Sequence, residues 1–132
     1  MDISRIEHIG IAVKNIKDSL PYYEGILGLK CYSIEEVVNQ KVRTAFFKVG
    51  ETKIELLEPI SDESTIAKFI KKKGEGIHHI AFAVPNIDTA LIEVELKGVQ
   101  VIDKLSRKGA EGLKIAFLHP KSTRNILTEL CQ

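Results

Sequence analysis

The chain has 132 residues, of which 44% are hydrophobic and 28% charged, so it fits one ordinary globular domain with a real core. Nineteen basic residues against eighteen acidic leave a net charge of +1, which gives no general pull toward nucleic acid or an acidic membrane. Two cysteines make no disulfide framework, no apolar run approaches a membrane span, and no charged leader precedes an apolar stretch, so cytoplasm is the expected compartment.

In chain order, EHIGIAV is β-rich and reads as a strand. Asn15 suits a helix N-cap, Pro21 is tolerable early in that helix, and Gly28 closes it. KCYSIEEVV, KVRTAFFKV and KIELLEP read as three strands, broken at Asn39-Gln40 and at Gly50-Glu51. Ser64 to Lys73 is a connecting helix with Gly74 at its C-cap. The order then restarts. GIHHIAFAV is a strand, Asn86 caps a helix of Ile87 to Lys97, and strands follow near Val99 to Leu105, Leu113 to Leu118 and Asn125 to Cys131.

The restart is a repeat. IEHIGIAVKNIKDSL (Ile6 to Leu20) lies against IHHIAFAVPNIDTAL (Ile77 to Leu91) without a gap, and eight of the fifteen positions are identical. TAFFKVG echoes IAFLHPK, and KIELLEP echoes ILTELCQ. The chain therefore reads as an α+β fold of two β-α-β-β-β modules, about 5–60 and about 76–132, joined by a helix at about 64–73. Each module covers one sheet face with its helix and leaves the other free to line a cavity.

The repeat also pairs chemistry. His8 aligns with His79, and Glu55 with Glu129. A single His or Glu on a strand is most often a surface or capped residue. Four at equivalent positions of a duplicated module outweigh that reading, because two imidazoles and two carboxylates can hold a divalent metal and leave positions for substrate. Strand alternation puts His8 on a face with Ile6, Gly10 and Ala12, and His79 on one with Ile77, Ala81 and Ala83. His78, whose counterpart is Glu7, is read as packing or support. His119 is read as turn structure, Cys131 as a small packed residue on the face of Glu129, and Lys71, Lys72 and Lys73 as complements to a helix C-terminus.

HIGIAV, ELLEP, HHIAFAV and the closing TEL together resemble the vicinal-oxygen-chelate superfamily. The longer strings SDESTIAKFIKKKGEGIHHIAF and KIAFLHPKST followed by TELCQ resemble, over essentially the whole chain, its methylmalonyl-CoA epimerase family. The resemblance implies a glyoxalase/bleomycin-resistance-like fold around a metal-lined cavity, commonly in a homodimer. It implies a divalent metal, Co2+ first, with Mn2+, Ni2+, Zn2+ or Mg2+ as alternatives, held by His8, Glu55, His79 and Glu129. The implied substrate is a CoA thioester. The implied reaction interconverts (2R)- and (2S)-methylmalonyl-CoA by removal and return of the α-proton through an enediolate, with Glu129 as the base. Thr44 stands where some relatives carry a second catalytic glutamate and is a poor base, so a water, an unidentified residue or, less favoured, Glu55 is left to complete the pair. Lys121, Ser122 and Thr123, beside Arg124, are the candidates to hold the substrate carboxylate. A glyoxalase I-like lyase acting on a glutathione hemithioacetal and a metal-free small-molecule binding protein of the same fold are the alternatives.

Overall fold

The structure is a computed structural model that describes residues 1–132. Its backbone divides into two compact units. One is Ile9–His78; the other joins Met1–His8 to His79–Gln132. The chain passes from one to the other inside strand β1 (Arg5–Ala12) and again inside β5 (Gly76–Ala83).

In the unit Ile9–His78 the strands run in the order β2 (Cys31–Val37), β3 (Val42–Val49), β4 (Thr52–Pro59), β1, with β3 antiparallel to both β2 and β4. Thr44, Ala45, Phe46 and Phe47 are all buried, so β3 is covered on both faces. On one face Ala45, Phe47 and Leu56 pack with Val13, Ile16, Leu20 and Tyr23. On the other, Phe46 stands opposite Glu55 and Thr44 opposite Leu57.

Helix α1 (Ile16–Leu20) starts at Asn15, whose side chain accepts the Asp18 N–H. The sequence predicts one helix to Gly28, but the α-helical part stops at Leu20. Pro21 has no N–H to return to the preceding turn. The segment Pro21–Ile26 continues as a wider turn, in which the Leu27 N–H reaches back to the Tyr22 carbonyl at 2.9 Å. Gly28, at φ 71°, then ends it. Helix α2 (Thr65–Lys73) is capped by the Ser64 hydroxyl, which accepts from the Ile66 and Ala67 N–H groups, and Lys71 to Lys73 fill its last turn.

In the second unit the order is β1, β5, β8 (Thr128–Cys131), β7 (Lys114–Leu118), β6 (Arg107–Lys108). β8 is parallel to β5 and antiparallel to β7. Helix α3 (Ile87–Leu96) begins at Asn86, which accepts the Thr89 N–H. Its Ile87, Ala90, Leu91 and Val94 form one stripe at helical spacing and pack on Ala116, Leu118 and Leu130.

Two strand expectations fail here. Val99 to Leu105 is not a strand; Val101 makes an isolated bridge to Leu118. The Asp103 carboxylate accepts the Phe117 N–H at 2.8 Å, the group a neighbouring strand's carbonyl would take. β8 starts at Thr128 rather than Asn125, because Arg124 and Asn125 have φ of 60° and 68° and close a turn on the Pro120 carbonyl. No helix is long and apolar enough to cross a membrane.

Candidate metal centre

Three strands of the second unit deliver the charged and imidazole side chains the repeat singled out. β1 supplies His8, β5 supplies His79 and β8 supplies Glu129. The register explains the convergence. Glu129 stands between Ala81 on β5 and Phe117 on β7, and His79 precedes Ala81 by two residues on the same face. Ala81 is small enough to leave space, and Phe117 gives His79 a ring to lie edge-on against, with centroids 5.4 Å apart.

His8, His79 and Glu129 are each at most 5% exposed. His8 Nε2 lies 3.0 Å from His79 Nε2 and 3.6 Å from Glu129 Oε1, and His79 Nε2 lies 3.2 Å from Glu129 Oε2. Two ligand atoms each about 2.1 Å from one ion stand about 3.0 Å apart at a right angle and about 3.4 Å apart at the tetrahedral angle. The three separations fall in or beside that range. Two nitrogens and a carboxylate within 4.8 Å of one another are also the donor set of a divalent transition metal, so the residues fit such an ion.

Around this trio lie two further polar groups. The Glu7 carboxylate is 2.8 Å from His8 Nδ1, and the Cys131 thiol donates to Glu129 Oε1 at 2.8 Å. Burial pushes the Glu129 carboxyl up, but the two imidazoles beside it outweigh burial and hold the group well below the usual carboxylate range.

The other expected site residues are placed as follows. Glu55 is buried on β4 of the unit Ile9–His78, with Thr44 on the same face one residue pair along. Lys121 is exposed. Ser122 Oγ accepts the Gln100 N–H at 2.9 Å, while the Thr123 hydroxyl donates to the Ile126 carbonyl at 2.5 Å. His119 Nδ1 accepts the Lys121 N–H and so holds its turn. His78 lies edge-on to Phe69, centroids 5.0 Å apart. Glu7 is the residue that sequence reasoning missed. Alternation sets neighbours on opposite faces of a strand, and a Glu directly beside a His was the sole trace of it.

Residues 7–117 match the Glyoxalase/Bleomycin resistance protein/Dioxygenase superfamily. The chain is 45% identical to the uncharacterized protein YqjC of Bacillus subtilis, over 98% of this chain and 93% of that one. It is 39% identical to the mitochondrial methylmalonyl-CoA epimerase of Dictyostelium discoideum, over 97% of this chain and 78% of that protein. A solved structure of a single-substitution variant of Streptomyces coelicolor methylmalonyl-CoA epimerase in complex with 2-nitronate-propionyl-CoA is similar at a TM-score of 0.95 and 36% identity, covering 98% of this chain and 94% of that one.

Proposed function

The chain belongs to the methylmalonyl-CoA epimerase family of the Glyoxalase/Bleomycin resistance protein/Dioxygenase superfamily, and from that premise we propose that it interconverts the (2R) and (2S) forms of methylmalonyl-CoA. The carbon that inverts lies between a thioester and a carboxylate. Loss of its proton builds negative charge on the thioester oxygen, so the reaction needs a base at the carbon and positive charge at the oxygen.

Glu129 is the base. It is buried, it sits on a strand paired on both sides, and a carboxylate oxygen there can accept a proton. His8 Nε2, His79 Nε2 and Glu129 are the residues that would hold a divalent cation. The cation, when bound, would supply the positive charge that opposes the charge developing on the thioester oxygen. Lys121 and Ser122 are the groups able to donate to the free carboxylate of the substrate. Ser122 accepts from Gln100 and still has its own hydrogen to give, whereas that of Thr123 is committed to Ile126.

The observation that supports this reading most is the convergence of two imidazole nitrogens and a carboxylate within one buried cluster. Proton exchange tests it. The Co2+-loaded protein is incubated with methylmalonyl-CoA in D2O, and deuterium at C2 is followed by mass spectrometry beside a chelator-stripped control. Rapid, metal-dependent wash-in is expected. No wash-in from a loaded protein would overturn the reading, and turnover of a glutathione hemithioacetal instead would turn it to the lyase.

A further inference from the structure

Glu7 takes no part in the chemistry above, yet it is only 5% exposed. A carboxylate at that depth is costly unless its oxygens are satisfied. Oε1 lies 2.8 Å from His8 Nδ1, and Oε2 lies 3.7 Å from Nη2 of Arg5. An ionised carboxylate oxygen can only accept, so the hydrogen of that contact sits on Nδ1. A neutral imidazole with its hydrogen on Nδ1 presents a lone pair at Nε2. Nε2 is the atom that faces His79 and Glu129.

We infer that Glu7 is a positioning residue that locks His8 in the Nδ1–H tautomer and aims its Nε2 as a ligand toward a divalent cation shared with His79 and Glu129. The inference rests on the metal reading proposed above. Without Glu7 the His8 ring is free to carry its hydrogen on Nε2, pointing it at the place a cation would take. The loss would then fall on metal affinity and ring state before it fell on the proton-transfer step.

The test is a comparison of wild type with Glu7→Gln. The imidazole 15N pattern of the metal-free proteins reports the His8 tautomer, and a Co2+ titration followed by visible absorption reports affinity and ligand field. Wild type is expected to show Nδ1–H at His8. Glu7→Gln is expected to lose that preference, to bind Co2+ about 10–100-fold more weakly and to shift the Co2+ bands. An Nε2–H tautomer in wild type would overturn the inference even if the variant fails to fold. So would a folded Glu7→Gln with unchanged tautomer and affinity. Failure of wild type itself to bind Co2+ would strike the metal reading instead, and the tautomer comparison would still decide what Glu7 does to the ring.

Discussion

The two copies of the β-α-β-β-β pattern treat their helix starts alike and their second strands differently. Asn15 and Asn86 each accept an N–H three residues on, at 3.1 and 3.0 Å. In each copy a side chain from the end of the last strand takes the first helical N–H. Glu58 does so for Ile16 at 2.7 Å, and Gln132 for Ile87 at 2.8 Å. Beyond that the copies part. Pro21 widens the first helix after Leu20, while α3 runs unbroken from Ile87 to Leu96. The first copy has the seven-residue strand β2; the second has a loop at the matching place, held by Asp103. The pattern persists at the helix starts, where side chains take the first N–H groups, and drifts at the second strand, where a side chain replaces a strand's carbonyl.

Substitutions can break or sharpen this contrast. The largest effects should come from the two cores, which the comparison treats as equivalent supports. Phe47→Ala in the unit Ile9–His78 should cost about 3–5 kcal/mol and Leu130→Ala in the other about 2–5 kcal/mol, read by urea denaturation. A negligible loss at either position would mean that unit is not held by the core described. Asp103→Ala should come next, at about 1–3 kcal/mol, because it strips the Phe117 N–H of its acceptor. Were it neutral, the second copy's missing strand would need another cause. The smallest effects should be the paired caps. Asn15→Ala and Asn86→Ala should each lower stability by about 1 kcal/mol, and a large inequality between them would undo the claim that the helix starts are alike.

Much of the fold was legible because periodicity and capping residues act locally. Ser64, Asn15 and Asn86 each cap the helix that follows them. What was illegible depended on side chains replacing backbone. No hydrophobic pattern betrays that Asp103 will take a ladder N–H, or that Arg124 and Asn125 will adopt positive φ and delay β8. At the site, His8, His79 and Glu129 were legible through the repeat, since equivalent positions of a duplicated module inherit equivalent directions. Glu7 was hidden by the alternation rule itself. Its Cβ leaves the opposite side of the strand from that of His8, yet its carboxylate reaches the His8 ring. Cys131, read as packing, is buried beside Ala81 and Ile115 and also donates to Glu129.

Deuterium exchange into methylmalonyl-CoA by metal-loaded Glu129→Gln, measured beside metal-loaded wild type, tests the role of the buried centre most directly. Gln keeps the volume of Glu129 and one oxygen for a ligand but cannot take a proton. Exchange is predicted to fall by about 10²–10⁴-fold with Co2+ still bound. Exchange within a few-fold of wild type would contradict the assignment of Glu129 as the base and leave the His8, His79 and Glu129 cluster as a metal site alone.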